Sequence, residues 1–287
     1  MSAVPSRCGP AYTGGSPNAD RIMLTIGFVG TGILTEAVVT GLLQTQSQQD
    51  LAGRCRILLS PRSEAVSRRL AQAHEAVERC AGNEEVVERS DVVVLAVLPK
   101  QLAEVTAGLP FRRGQRVVSF IAGAPVDSVK ALVAPAETVV RVIPLPPIRF
   151  RKGPVVLYPG NEMVEDLFGG LGELIVVERE SELAAIGHAS AVMSSHYEVQ
   201  NTVIGWLQSR GLAEATAALY VRSLFAGLGE LGLDAARKGE PVDPAHHETA
   251  GGLNECGRAY LAGRGWFDEI GKALDAIEAH VPSKPKG

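Results

Sequence analysis

The chain has 287 residues, of which 46% are hydrophobic and 21% charged, and its formal net charge is −4. That composition suits a soluble globular protein of one large or two medium domains, and the charge excludes an electrostatic footprint for nucleic acid or an anionic membrane. No uninterrupted apolar run approaches the ~18–20 residues of a membrane span. The four cysteines (Cys8, Cys55, Cys80 and Cys256) lie far apart without metal-type spacing, so free thiols in a reducing cytoplasm are expected, and no metal site.

Residues 1–21 are rich in Gly, Ser and Pro, lack an apolar core of signal-peptide length, and read as a disordered tail. Ile22–Val29 has no polar face and reads as a strand buried on both sides. Helical spacing follows in Ile33, Leu34, Ala37, Val38, Gly41 and Leu42. "CRILLS" (55–60) is a second strand, Glu64–Gln72 is helical in composition, and a weak strand is expected near Ala76–Glu78. "DVVVLAVLP" (91–99), "QRVVSFIAG" (115–123) and "ETVVRVIPLPP" (137–147) supply further strands, the first of them ended by a proline. Strands alternating with helical patterns imply βαβ units and a parallel sheet. Two β-like runs, "GPVVLYPG" and "ELIVVERE", then flank a short helix in "MVEDLFGGLG". After Glu180 the pattern turns helical, with segments expected at 181–209, 213–237, 252–263 and 266–280. Leu212–Leu233 is too apolar to face water all round, so it belongs in a domain core or a subunit interface.

The stretch "TIGFVGTGILTEAVVTGLL" (25–43) runs a buried strand through Gly30-x-Gly32 into a helix. A dinucleotide fold needs that order: Gly30 for the tight turn, and Gly32 to let a pyrophosphate reach the helix N-terminus. Thr35 takes the third motif position, where Gly or Ala is usual. The alternative is a turn that holds no ligand. An NAD site places a carboxylate at the end of the second strand; this one ends "LLSPRS", with Ser60, Arg62 and Ser63. Hydroxyls and a guanidinium suit a 2′-phosphate, so NADP is favoured and NAD is the lesser expectation.

The segments "GFVGTGILTEAVVTGLL", "LLSPRSEAVSRRLA", "SDVVVLAVLPKQLAEV", "VVSFIAGAPVDSVKALV" and "VVRVIPLPP" follow one another as in the Δ1-pyrroline-5-carboxylate reductases, and the chain resembles that family over about residues 24–186. The resemblance implies an N-terminal Rossmann-like doubly wound α/β domain (22–180) and an all-α domain (181–287) that binds substrate and forms a homodimer. It implies reduction of a cyclic imine acid to proline with NAD(P)H. Carried across, Gly30, Thr31, Gly32, Ile33 and Leu34 form the pyrophosphate turn, and Ser60, Arg62 and Ser63 meet the adenosine ribose and its phosphate. Asn83 lies on the adenosine side, Ala96, Val97 and Pro99 line the cofactor, and Ala122 and Gly123 sit near the nicotinamide.

The substrate half departs from the family. Leu145 stands where an Asn is usual, "HASAV" (188–192) replaces Gly-Ser-Gly-Pro-Ala, and "TAGG" (249–252) replaces Ser-Pro-Gly-Gly. Asn254 stands for a Thr near the imine. Thr249, Gly251, Gly252 and Asn254 are thus the substrate-binding candidates, with Thr249 and Asn254 as hydrogen-bonding groups at the reacting atoms. His188 and His196 share a helix face and could donate a proton, or be histidines satisfied by neighbours. "HHE" (246–248) lacks the spacing of a metal-binding helix. The β-hydroxyacid dehydrogenases, which share the two-domain plan, use a helical lysine; residues 181–211 contain none.

The expected function is therefore NADPH-dependent reduction of an imine of the pyrroline-5-carboxylate type by a cytoplasmic homodimer. Two alternatives stand beside it: a divergent oxidoreductase acting on another imine or carbonyl compound, and a protein that senses NADP(H) without turnover.

Overall fold

A computed structural model describes residues 24–44 and 55–280. The expected tail, Cys8 and the first two residues of the strand expected from Ile22 lie outside the described residues. The chain divides into two compact units, 1–178 and 179–287.

The first unit is an eight-stranded sheet in the order β3-β2-β1-β4-β5-β6-β7-β8. Its strands are β1 (Leu24–Val29), β2 (Cys55–Leu59), β3 (Val77–Arg79), β4 (Val92–Leu95), β5 (Arg116–Ser119), β6 (Thr138–Pro144), β7 (Pro154–Tyr158) and β8 (Glu173–Val176). Helices α1 (Ile33–Leu43), α2 (Glu64–Ala73), α3 (Asn83–Arg89), α4 (Leu102–Thr106), α5 (Val126–Leu132) and α6 (Glu162–Gly169) connect them. The central strands are largely apolar because both faces are covered, β4 (VVVL) being buried at every position. Ile26, Phe28, Ile57, Val94 and Val140 pack with Val38 and Leu42 of α1 and Phe168 of α6. Val29, Leu58, Val93, Val117 and Val139 pack with Val86 and Val87 of α3 and Val129 of α5. Many of these side chains are wholly buried, each worth about 1.5–3 kcal/mol relative to exposure.

Strands β1 to β6 are parallel, but β7 runs antiparallel to β6, with Arg141 opposite Tyr158. The connection from Leu145 to Gly153 holds only a 3₁₀ turn, Pro146–Phe150. It is too short for the crossover of a dozen or more residues that a parallel return requires. β8 is parallel to β7 again, reached through α6, whose N-terminus is capped by the Asn161 Oδ1 accepting from the Val164 amide at 3.3 Å.

The second unit comprises α7 (Glu180–Ala189), α8 (Val192–Ser209), α9 (Glu214–Lys238), α10 (Leu253–Ala262) and α11 (Trp266–Glu278). The single helix expected over 181–209 is broken between Ala189 and Val192. There the Ala191 amide bonds the His188 carbonyl, the Met193 amide bonds that of Ser190, and the Ser190 hydroxyl bonds the Ile186 carbonyl. Such tightened and side-chain-diverted bonds interrupt the helical ladder. Helices α8 and α9 pack together around Ile204, Ala217 and Val221. Much of α9 nonetheless stays open: Leu219 is 73% and Leu231 62% exposed.

Candidate functional site

The C-terminal ends of β1, β2, β4 and β5 carry the loops that the sequence assigns to the nucleotide. Because β1 stands between β2 and β4, its turn occupies the point where strand order reverses, the place at which open parallel sheets bind ligands. Gly30 has φ +104°, and a Cβ there would stand 2.4 Å from the Ala96 carbonyl oxygen, so only glycine fits. Its amide donates to the Ser60 Oγ at 3.0 Å, and its carbonyl accepts from the Thr35 hydroxyl at 2.7 Å. The Thr31 hydroxyl donates to the Ser60 carbonyl at 3.0 Å and lies 3.1 Å from the Ser60 Oγ. The turn is therefore pinned from β2 on one side and from α1 on the other.

Gly32 is the N-cap of α1, and no side chain caps that helix. A Cβ on Gly32 would meet nothing within 4 Å and would project into open space before the helix N-terminus. Ile33 beside it is 80% exposed and Leu34 is half-buried. An open, uncapped N-terminus behind a glycine is what a pyrophosphate requires: unblocked amides, and the positive end of the helix dipole. The residues present thus fit a dinucleotide.

Ser60, expected at the ribose, is wholly buried and supports the turn from behind. Arg62 and Ser63 are exposed on the loop after it, and Ser63 holds the left-handed conformation at φ +58°. A second guanidinium, not singled out by the sequence, lies beneath this loop. Parallel pairing sets Arg79 beside Leu59, and its Nη2 donates to the Pro61 carbonyl at 3.5 Å while its Nε donates to the Ser67 hydroxyl at 3.2 Å. Its position depends on strand register, so neither spacing nor motif in the sequence marks it. Asn83 opens α3 and is half-buried. Ala96 and Val97 follow β4 half-buried, Pro99 starts a 3₁₀ turn, and Ala122 and Gly123 are exposed beyond β5.

Cys80 at the end of β3 lies close to Glu78 and Glu85, their ligand atoms all within 4.8 Å. Arg89 fills this cluster: its Nη1 and Nη2 donate to Glu78 at 2.6 and 2.8 Å, and its Nη1 also bonds Glu85. The bonded Arg89 holds the Glu78 carboxyl below the ordinary range, and the Ala81 amide followed by Arg89 does the same for Glu85. Burial, and then the Glu85 charge, push the Cys80 thiol up to about 11. A thiol kept protonated is a poor metal ligand and a poor nucleophile.

In the second unit, Thr249, Gly251, Gly252 and Asn254 are brought together at the start of α10. Gly252 is its N-cap and donates to the Thr249 carbonyl at 2.7 Å; Gly251 has φ +73°. The loop is already engaged with itself. The Gly251 amide donates to the Glu255 Oε2 at 2.6 Å, and the Asn254 Nδ2 donates to the His247 carbonyl at 2.8 Å. Leu253, beside them, is 93% exposed. His196 is exposed on α8 and its ring reaches across to α9. Its Nε2 contacts the Gln200 amide nitrogen, and its ring meets Phe225 edge-on at 5.6 Å. Gln200 is 3% exposed and accepts from Arg222, which also donates to the Asn201 Oδ1 at 2.8 Å. The Nδ1 of His188 is buried with no hydrogen-bond partner among the described residues.

A family model described as NADP oxidoreductase coenzyme F420-dependent matches residues 25–123. The chain is 25% identical over 248 residues to pyrroline-5-carboxylate reductase 2 of Bacillus subtilis, covering 82% of this chain and 86% of that one. The solved pyrroline-5-carboxylate reductase of Coxiella burnetii superposes with a TM-score of 0.71 at 21% identity, over 89% of this chain and 96% of that one. The Plasmodium falciparum pyrroline carboxylate reductase, solved with NADP bound, gives 0.70 at 17% identity, over 88% and 95%. The family match and the curated relatives place the chain among NAD(P)H-dependent oxidoreductases, with a Rossmann-like unit and a helical unit. Within that class, the chain is similar to the pyrroline-5-carboxylate reductases. Among the described residues no helix is long and apolar enough to cross a membrane.

Proposed function

We propose that the protein is an NADPH-dependent imine reductase of the pyrroline-5-carboxylate reductase type. The observation that carries this reading is the open, uncapped N-terminus of α1 behind Gly30 and Gly32, beside a β2 loop that presents Arg62 and no carboxylate. Gly30 to Leu34 bind the pyrophosphate through backbone amides, and Arg62 and Ser63 take the 2′-phosphate, which favours NADP over NAD. Asn83, Ala96, Val97 and Pro99 line the adenosine and phosphate path, and Ala122 and Gly123 border the nicotinamide. NADPH, when bound, supplies the hydride that a C=N carbon accepts. A protonated imine is already electrophilic, so the loop of Thr249, Gly251, Gly252 and Asn254 acts chiefly by orienting it. His196, held by Gln200, is a candidate proton donor from α8.

We infer further that the working form is a cytoplasmic homodimer. Leu219, Tyr220, Leu224, Leu228 and Leu231 make one continuous apolar groove on α9, and a second copy offers the matching surface.

Titration with NADPH and NADH, followed by steady-state consumption of NADPH with pyrroline-5-carboxylate, tests the reading. Arg62→Ala weakens NADPH about 10- to 100-fold and leaves NADH nearly unchanged. Tight NADPH binding without turnover on any of a panel of cyclic imines would leave a nucleotide sensor in place of an enzyme. A second reading, a cyclic imine or carbonyl substrate without a carboxylate, is favoured by Glu255, whose own carboxylate takes the Gly251 amide that a substrate carboxylate would use. If pyrroline-5-carboxylate is the substrate, Glu255→Gln lowers its KM by about threefold; an unchanged KM with faster turnover of uncarboxylated imines favours the second reading.

A further inference from the structure

We propose that Gln101 determines cofactor specificity by positioning Arg62. This rests on the reading that Arg62 meets the 2′-phosphate of NADPH. Oriented by its hydrogen bonds, the Gln101 side-chain amide turns its oxygen to Arg62 and accepts from Nη2 at 2.9 Å and from Nη1 at 3.1 Å. Both ends of this bridge are anchored. Arg62 stands two residues beyond the buried Ser60, which is bonded to Gly30 and Thr31. Gln101 closes the 3₁₀ turn that Pro99 opens after β4, its amide donates to the Leu98 carbonyl at 2.8 Å, and the next residue, Leu102, is buried.

The strand order β2-β1-β4 means that a link from the β2 loop to the β4 loop passes over the end of β1, where the glycine turn lies. The two loops are the walls between which the adenosine end of a dinucleotide must sit. A flexible exposed arginine would lose much of its binding strength to side-chain entropy. Gln101 removes that freedom. It also uses only the edge formed by the two terminal nitrogens, so the edge containing Nε remains for a phosphate to grip with two oxygens. A neutral amide is suited to this task because it leaves the guanidinium charge intact. A carboxylate in its place would compete with the phosphate for that charge.

The test is equilibrium binding to the full-length protein, with NADPH, NADH, 2′,5′-ADP and 5′-AMP as probes, for Gln101→Ala, Gln101→Glu and Arg62→Ala. Gln101→Ala is expected to weaken NADPH and 2′,5′-ADP about fivefold, and NADH and 5′-AMP less than about twofold. Gln101→Glu is expected to weaken the two 2′-phosphorylated ligands more than Gln101→Ala does, by about 20-fold, again sparing the other two. If Arg62→Ala discriminates between the two pairs of ligands while neither Gln101 variant does, the positioning role is overturned and the NADPH reading stands. If Arg62→Ala weakens both pairs equally, the NADPH reading itself fails and the role of Gln101 falls with it. Equal loss of all four probes in a folded Gln101→Glu protein also overturns the proposal, since that pattern reports a structural role.

Discussion

The two units bury their apolar residues in opposite ways. In the first, whole strands disappear into the interior, and both faces of the sheet are sealed by helices of the same unit. In the second, the buried hydrophobic residues among those described are Leu183, Ile204, Ala217 and Val221, while Leu219, Tyr220, Leu228 and Leu231 remain more than half exposed. A domain of that size needs a larger core than those side chains supply. The difference teaches that the first unit closes its core within one chain, whereas the helical unit leaves apolar surface open, as the proposed homodimer requires. The polar groups follow the same division. Around Gly30 they are satisfied both by Ser60, thirty positions away, and by Thr35 of the following helix, whereas around Gly251 every partner lies within a few residues.

The largest expected effect comes from breaking the incomplete unit. Leu224→Asp combined with Leu228→Asp puts two charges on the open face of α9. Sedimentation is expected to show a monomer, and the helical unit to lose about 4 kcal/mol or more of stability. If the wild-type chain already sediments as a stable monomer, the contrast between the units fails. Next, two neighbouring glycines sharpen the claim that the first unit is self-sufficient. Gly30→Ala drives a Cβ against the Ala96 carbonyl at a positive φ and is expected to cost about 2–4 kcal/mol in denaturant titration. Gly32→Val, with open space at its Cβ, should leave the melting temperature within about 2 °C yet weaken NADPH about 100-fold or more. Comparable destabilisation by both would mean that Gly32 is structural.

The smallest effect concerns pH. Arg89 holds the Glu78 carboxyl below the ordinary range, and the Ala81 amide followed by Arg89 does the same for Glu85. Groups whose folded pKa is depressed contribute stability that is present above their unfolded pKa and lost as pH falls through the folded one. Stability of the first unit is therefore expected to decline below about pH 4, and Arg89→Met to flatten that decline while slightly lowering stability at neutral pH. An unaltered acid limb in chemical denaturation would show that these half-buried pairs contribute nothing measurable.

The sheet was legible because strands buried on both sides carry their signature in composition: Ile26–Val29 and Val92–Leu95 need no partner to be recognised. The resemblance supplied the helical unit, which periodicity alone left as a series of helices. What stayed hidden depends on register or on a local bond. Arg79 and Gln101 reach the β2 loop only because β3 and β4 are placed as they are. Ser60 reads as a surface ligand until the pairing of β1 with β2 turns its hydroxyl inward. The break between α7 and α8 falls in Ala-Ser-Ala, residues that suit a helix interior as well as its end. The antiparallel β7 followed from the shortness of its connection, which counting residues would have revealed.

Ser60 has one more consequence. Its hydroxyl and carbonyl fasten the glycine turn, while Arg62 and Ser63 after it are exposed at the surface. On the proposed reading, fastening and selectivity are thus divided within one short loop, and Arg62 and Ser63 form an exchangeable pair. If Arg62 reads the 2′-phosphate as proposed, substitutions there retune which nucleotide is preferred without loosening the cradle, and cofactor choice in this scaffold can change by short steps while the fold that supports it stays fixed.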